Sequence, residues 1–157
     1  MDITIKPLAE NDELAPVLAK WLFDEFARPT ESQEFFSSML TCPPGADGLP
    51  QAFVACAGEE PAGTVLLQRA DLLSRQDIWP WLAFIYVRPE YRGLHIGAKL
   101  QQALCEHASG LGFDRVYLYT DLINYYEKTG WIYSGSCTEC DGTRKQLFFK
   151  EINHEQL

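Results

Sequence analysis

The residues best suited to chemistry lie in one stretch, VRPEYRGLHIGAKL, over positions 87–100. From His95 onward the stretch predicts an amphipathic helix, because apolar residues recur along one face at helical spacing. No Ser, Thr, Asp or Asn stands directly before that helix to cap its first backbone N–H groups. Gly93, Gly97 and the cation Arg92 surround the predicted helix start instead.

An uncapped helix start next to glycines is suited to binding an anion. The helix dipole places partial positive charge there, and residues without side chains let phosphate oxygens approach the backbone. The segment GLHIGAKL does not fit the P-loop pattern, and GxGxxG occurs nowhere in the chain. The loop therefore predicts a pyrophosphate cradle of another kind, with an ordinary turn whose N–H groups bind water as the alternative.

The charge of the chain argues against a polyanionic partner. The formal net charge is −9, whereas nucleic-acid binding needs a basic surface, so we expect no nucleic-acid partner. Residues 88–115 hold four cations and three acids and carry +1, so the remainder carries −10. The segment with the uncapped helix is thus spared the acidic excess.

Length and composition predict one cytoplasmic domain over residues 1–157. No apolar run reaches the ~18–20 residues of a membrane helix, and the first residues lack the apolar core of a secretory signal. Five cysteines, an odd number, do not suggest a disulfide framework. The lone pair Cys137 and Cys140 has no second pair or spaced histidines, so we expect no metal site. The short apolar runs predict no membrane partner.

Apolar periodicity and turn residues predict a mixed α/β fold. A helix between two strands implies a crossover connection, and hence a parallel pair of strands. Asp141-Gly142 predicts the turn of a closing hairpin. Predicted strands occupy residues 1–8, 51–57, 62–68, 81–87, 115–120, 131–138 and 143–151, and predicted helices occupy 11–26, 29–39, 95–109 and 125–129.

Two motifs together resemble those of a known family. The stretch 87–100 resembles the signature loop (Q/R)xxGx(G/A) of the GNAT acyl-CoA-dependent N-acyltransferases, with Arg92, His95 and Gly97 at its marked positions. Downstream, NYYEKTGW over 124–131 resembles the family's Tyr-Glu-Lys segment followed by glycine and an aromatic residue. The resemblance covers nearly the whole chain. It implies a mixed, mostly antiparallel twisted sheet with a splayed parallel pair at the centre and flanking helices.

The resemblance implies acetyl-CoA, or another acyl-CoA, as the donor substrate. In the family the pyrophosphate lies on the N–H groups of the loop, pantetheine pairs with the splayed strand, and the N–H of Val87 would stabilise the oxyanion. His95 replaces the first glycine of the motif, so its imidazole must point away from the phosphates or hydrogen-bond to one. The implied binding residues are Ile85, Tyr86, Val87, Arg92, Gly93, Leu94, His95, Ile96, Gly97 and Ala98.

Acyl transfer to an amine needs a neutral nitrogen and a stabilised leaving thiolate. An amine with a pKa near ~10.4 is neutral in about one part in 10³ at pH 7, which costs roughly 4–5 kcal/mol. By resemblance, Tyr126 occupies the family's general-acid position. A phenol near ~10 is a weaker acid than a thiol near ~8.5, so we expect Tyr126 mainly to hydrogen-bond the thiolate. The alternative is a core tyrosine.

The general base is not evident from the sequence. Many family members place a glutamate on the strand before the loop, where this chain has Trp81. Asp121, after the strand at 115–120, is the best substitute, because sites in such sheets open at strand ends. Asp121 could equally cap the following turn, and a water relayed by backbone carbonyls could act instead.

The resemblance implies an N-acetyltransferase acting on a small amine or on a peptide or protein amine. The acidic net charge favours a cationic acceptor. A catalytically inactive acyl-CoA-binding sensor or partner subunit is the alternative, because the strand carboxylate is missing. A structural domain that binds no CoA has no positive signal in the sequence. The exposed edge of the final hairpin could join two copies in a homodimer.

Overall fold

A single seven-stranded sheet organises the computed structural model, which describes residues 2–152. Met1 and residues 153–157, which the predicted domain includes, lie outside the described residues. The strands are β1 (Ile3–Pro7), β2 (Gln51–Ala57), β3 (Glu60–Gln68), β4 (Trp81–Val87), β5 (Arg115–Thr120), β6 (Ile132–Thr138) and β7 (Arg144–Glu151). The α-helices of the described range are α1 (Ala15–Phe26), α2 (Gln33–Thr41) and α3 (Ile96–Gly110).

The sheet is mixed, as predicted. Its strand order is β1-β2-β3-β4-β5-β7-β6. Neighbouring strands are antiparallel except β4 and β5, which are parallel and joined by the crossover through α3. Among the described residues, β1 and β6 form the two edges.

Strands β2 and β3 consist mostly of consecutive buried residues, so both faces of the sheet are apolar there, and helices cover both faces. On one face α3 packs through Ile96, Leu100 and Leu104 onto side chains such as Val65. On the other face α1 and α2 bury Leu18, Leu22, Phe36 and Leu40 against Val54 and Leu66. Each such side chain contributes about 1.5–3 kcal/mol of burial free energy. The start of α3 is therefore held rigidly over the sheet.

Two helix starts differ from the prediction. The first helix begins as a 3-10 turn over Asp12–Leu14, and α1 proper begins at Ala15. The prediction that the second helix starts at residue 29 is wrong. Ser32 ends the preceding loop by accepting the Phe35 N–H at 3.1 Å, and this cap fixes the start of α2 at Gln33.

Strands β4 and β5 separate soon after they meet. Their one recorded pair within residues 2–152 is Trp81 with Tyr117, next to a hydrogen bond from Tyr117 N–H to Pro80 O of 3.0 Å. The predicted splay is thus present, and it leaves the later residues of β4 without a neighbour on that side. The cleft opens toward the start of α3, which follows β4 in the chain.

A β-bulge reshapes β4 beside this cleft. Ala83 pairs with Leu66 and Tyr86 with Thr64, so three residue steps on β4 face two on β3. Phe84 absorbs the extra residue at φ 52°, a left-handed conformation that is rare for an aromatic residue. The bulge changes the orientation of the backbone that follows it.

Gly63 lets β3 approach the end of β4 closely. A Cβ at this position would lie 2.8 Å from Tyr86 O and 3.2 Å from the Leu100 side chain. Because real Cβ atoms do not come that close to backbone oxygen, a side chain here would displace the end of β4 or helix α3.

We therefore expect Gly63→Ala to lower the free energy of unfolding by about 1–3 kcal/mol, the usual cost of overpacking. Gly110→Ala is the control, because a Cβ on Gly110 meets no neighbouring atom. Urea denaturation measures both variants. A Gly63→Ala protein as stable as the wild type would contradict this account of the close approach.

Candidate active site

Helix α3 begins without a cap from any described side chain. His95 holds the N-cap position, and the first turn contains no acidic residue. The first backbone bond of the helix runs from Lys99 N–H to His95 O at 3.1 Å. The N–H groups of residues 96–98 therefore lack helical acceptors, and the helix dipole adds partial positive charge at the same end.

His95 adopts the left-handed conformation, with φ 61° and ψ 22°. This is the backbone shape that glycine adopts readily and that costs other residues roughly 1–2 kcal/mol. His95 thus holds a backbone conformation that glycine, the residue at this position of the motif, adopts without strain. The side chain is exposed and lines the cavity at the helix start.

A cavity of about 520 Å³ lies in front of this helix start. The end of β4, the loop, the first turn of α3, and Tyr125, Lys128 and Thr129 enclose it. Leu94 is the one predicted binding residue that does not line it, and its side chain is exposed. The predicted residues brought together here are Ile85, Tyr86, Val87, Arg92, Gly93, His95, Ile96, Gly97 and Ala98.

The two loop glycines border open space. A Cβ built on Gly93 or Gly97 meets no neighbouring protein atom within 4 Å. At Gly93 the backbone itself favours glycine, with φ 82°, whereas at Gly97 neither φ nor protein packing requires it. A small residue at Gly97 keeps the N–H groups of the helix start accessible to a ligand.

The backbone of Val87 faces the cleft. Arg88 N–H donates to Ala62 O of β3 at 2.9 Å, and successive residues of a strand direct their N–H groups to opposite edges. The Val87 N–H therefore points away from β3. The Val87 carbonyl accepts a hydrogen bond from Arg92 Nε at 3.0 Å, which ties the loop to the end of β4.

Tyr126 lies in a 3-10 turn over Tyr126–Thr129 and is only 6% exposed. Its ring packs against Tyr125, Trp131 and Phe148, with centroids 4.9, 6.2 and 6.4 Å away. Burial, with a smaller effect from Tyr125, raises the pKa of Tyr126 to about 12. The phenol therefore stays protonated at neutral pH and can act as a hydrogen-bond donor.

Gln101, which the sequence analysis missed, connects the two motifs. Its buried Oε1 accepts hydrogen bonds from Trp131 Nε1 and Thr129 Oγ1, both at 2.9 Å. These bonds fix the turn that carries Tyr126 against helix α3. The available signal was a glutamine at a buried position of the helix, between Leu100 and Leu104.

A second cavity, of about 960 Å³, adjoins the first. It extends between the end of α1, the start of α2, strands β4 and β5, and the turn between β6 and β7. Tyr126 and Asp121 line it. Both cavities share Glu25, Phe26, Ile85 and Tyr125, so a molecule in one could reach a molecule in the other at that boundary.

Asp121 lines the second cavity, but its side chain is 70% exposed and forms an ion pair with Lys145 Nζ. Asp121 does not cap the 3-10 turn over Tyr126–Thr129, because no side chain hydrogen-bonds to the start of that turn. Trp81, where the resemblance implies a glutamate, is fully buried and donates through Nε1 to Ile78 O at 3.0 Å. The strand position of the family base is therefore part of the core.

Within residues 2–152, no group of three or more His, Cys, Asp or Glu side chains could hold a metal ion. Cys137 is buried and Cys140 is exposed. In the same part of the chain, no helix has the length and apolar character needed to cross a membrane.

The chain belongs to the acetyltransferase (GNAT) family, whose model matches residues 15–131. No curated protein sequence matches the chain. Solved structures with the same fold include an N-acetyltransferase from Staphylococcus aureus Mu50. Its sequence is 12% identical to this one and its TM-score is 0.69. The match covers 97% of this chain and 99% of the other.

Two further similar structures contain CoA. An aminoglycoside 6'-N-acetyltransferase complexed with coenzyme A has 17% identity and a TM-score of 0.67, over 95% of this chain and 97% of the other. The NatC complex bound to Gag peptide and CoA has a chain with 18% identity and a TM-score of 0.70, over 96% and 99%. At these identities the likeness establishes the fold.

Replacing His95 tests the left-handed helix start. We expect His95→Gly to raise the free energy of unfolding by up to ~1 kcal/mol, because glycine adopts this φ without strain. Lys99→Gly, at an exposed helical position of α3, should lose about 1 kcal/mol instead. Urea denaturation gives both values. Equal losses in the two variants would show that residue 95 is not strained.

Proposed function

We propose that this protein is an acyl-CoA-dependent N-acyltransferase that transfers an acetyl group from acetyl-CoA to a primary amine by direct attack in a ternary complex. One observation carries the proposal: the uncapped start of α3 opens onto a cavity beside glycines whose missing side chains leave that space free. Such a start is a ready-made site for a pyrophosphate. Family membership and the CoA-containing structures of the same fold support it.

The residues of the first cavity fit the parts of acetyl-CoA. The N–H groups of Ile96, Gly97 and Ala98 would hold the pyrophosphate, since each lacks a helical acceptor. The backbone of Ile85–Val87 would pair with the pantetheine amides, because β5 has diverged from β4 there. The Val87 N–H, which faces the cleft, would stabilise the oxyanion as the thioester carbonyl gains charge.

Tyr126 would assist departure of the thiolate. With a pKa of about 12, the phenol is a weaker acid than the thiol that forms, so full proton transfer from it is unfavourable. Its role would be to donate a hydrogen bond to sulfur as negative charge develops. A hydrogen bond to a charged group contributes about 1.5–3 kcal/mol.

The acceptor amine would enter through the second cavity and meet the thioester at the boundary formed by Glu25, Phe26, Ile85 and Tyr125. Asp121 fits the role of general base less well than the sequence suggested, because its carboxylate is exposed and engaged by Lys145. The alternative proton acceptor is a water molecule that hydrogen-bonds to backbone carbonyls around the bulge at Phe84.

Two assays test the proposal against an inactive CoA-binding sensor. Acetyl-CoA should raise the melting temperature, since a ligand that binds only the folded state stabilises it. Free-thiol release should then appear with one or more acceptors from a panel of small amines, amino acids and peptides. Stabilisation without thiol release across the panel would favour the sensor. The absence of stabilisation would contradict both functions.

Removing the phenol hydroxyl tests the role of Tyr126. We expect Tyr126→Phe to lower kcat by about 10–100-fold, the loss of one charged hydrogen bond, with the affinity for acetyl-CoA nearly unchanged. Tyr133→Phe is the control, because that tyrosine is 55% exposed on the edge strand β6. Unaltered turnover in Tyr126→Phe would remove this residue from the mechanism.

A further inference from the structure

The second cavity has a charged wall that the proposed function does not use. Asp71 follows β3, Glu139 lies between β6 and β7, and Arg28 follows α1, and all three line the cavity. Arg28 is engaged within this group: Nη2 contacts Glu139 Oε2 at 2.6 Å and Nη1 lies 3.1 Å from Cys140 Sγ. The single cation of the wall is therefore paired with Glu139.

Asp71 has no such partner. Within residues 2–152 its carboxylate forms no ion pair, and its one side-chain hydrogen bond comes from Gln68 Nε2 at a long 3.4 Å. A partly buried carboxylate with so little compensation is costly to keep in a folded protein. A cation bound in the cavity would remove that cost.

Asp71 also lies close enough to Tyr119 of β5 for its charge to act on that tyrosine. Burial first, and then the charges of Asp71 and Glu139, raise the pKa of Tyr119, so these groups share one wall. The Tyr119 ring packs edge-on against Trp81 with centroids 6.0 Å apart. Trp81 begins β4, so the wall that contains Asp71 adjoins the strand that borders both cavities.

Burial, followed by the charge of Glu139, raises the pKa of Asp71 to about 7, while Arg28 and the bond from Gln68 act in the opposite direction. The charged or titratable groups that face Asp71 are thus Glu139 from the β6–β7 turn, Arg28 from the segment after α1, and Tyr119 from β5. The ionised form of Asp71 is favoured by a cation beside it.

Part of the remaining surface of the cavity is apolar and suits the body of a small amine. Phe26, Phe35, Met39 and Phe84 form its apolar side. Its volume of about 960 Å³ lies within the range of small-molecule sites. Charge and size together match a protonated amine that combines an ammonium group with an apolar part.

We propose that Asp71 binds a protonated nitrogen of the acceptor, and that the acceptor is a small cationic amine with a second, neutral amino group that attacks the thioester. This inference rests on the proposed function, because it assigns the second cavity to the acceptor. Asp71 is then a specificity-determining residue, which contacts the acceptor directly.

Titration calorimetry on the free enzyme, without acetyl-CoA, tests the inference. The probe is benzylamine, and its neutral analogue benzyl alcohol has nearly the same shape. We expect Asp71→Asn to raise the dissociation constant for benzylamine at least tenfold at pH 8, with that for benzyl alcohol unchanged. Asp77→Asn is the matched control, because Asp77 lies in the same loop, is paired with Arg75 at 2.9 Å and does not line the cavity.

The pH dependence separates a binding role from a structural one. Benzylamine stays protonated from pH 6 to pH 8, as lysine-like amines do, whereas Asp71 ionises over this range. The wild-type affinity for benzylamine should therefore rise between pH 6 and pH 8, and that rise should disappear in Asp71→Asn. Equal affinities of wild type and Asp71→Asn, or no preference for benzylamine over benzyl alcohol, would overturn the inference.

Thermal denaturation shows whether Asp71→Asn folds normally. Because the folded-state pKa is raised from 3.8 to about 7, the folded wild type holds a proton that the unfolded chain has lost, and its stability falls as pH rises through this window. Asp71→Asn avoids that loss, so its melting temperature at pH 8 should equal or exceed that of the wild type. A lower melting temperature would mark Asp71 as a structural residue and overturn the inference.

The outcomes also distinguish this inference from the proposed function. If benzylamine binds through Asp71 but no amine supports thiol release from acetyl-CoA, the cation site stands and the enzymatic function fails. If thiol release occurs with an acceptor of the panel while Asp71→Asn binds benzylamine as the wild type does, the function stands and the assignment of Asp71 fails.

Discussion

The backbone N–H groups at the start of α3 need hydrogen-bond acceptors, and no side chain of the described residues caps them. The rest of the structure is arranged around these free N–H groups. Helix starts normally satisfy these groups with a polar side chain or solvent. Here the left-handed His95 turns the chain into the helix, and Gly93 and Gly97 keep the surrounding space free. The arrangement gives the protein a fixed patch of partial positive charge in a chain whose net charge is −9.

The rest of the fold supports that patch and places other groups around it. The splay of β4 from β5 opens the cleft, and the bulge at Phe84 redirects the strand that borders it. Gln101 fixes the turn carrying Tyr126 to the same helix through two hydrogen bonds. The first cavity and Tyr126 are thus both positioned by one element, α3, whose apolar face is anchored in the core.

Local sequence signals predicted the regular parts of the fold well. The strands β2, β4 and β5 have the predicted bounds, because their apolar runs are long and end at turn residues. The predicted start of α2 was four residues early, since Pro29 suggested a helix start and the capping role of Ser32 depends on its backbone conformation. The bulge at Phe84 has no glycine or proline to announce it and arises from pairing across the sheet.

The candidate site was predictable only where the sequence carries a motif. The loop residues lie together because they are contiguous and precede one helix. Asp71 and Glu139 come from loops that are distant in sequence, and only the order of strands brings them to one cavity. The sequence made Asp121 the first candidate for the general base because it follows a strand. Its ion pair with Lys145 depends on β7 lying next to β5, which the sequence around Asp121 does not reveal.

A crystal structure with acetyl-CoA tests the central claim most directly. The account predicts pyrophosphate oxygens within hydrogen-bonding distance of the N–H groups of Ile96, Gly97 and Ala98, with the thioester directed toward Tyr126. A nucleotide bound elsewhere, with those N–H groups satisfied by the protein's own side chains, would contradict it.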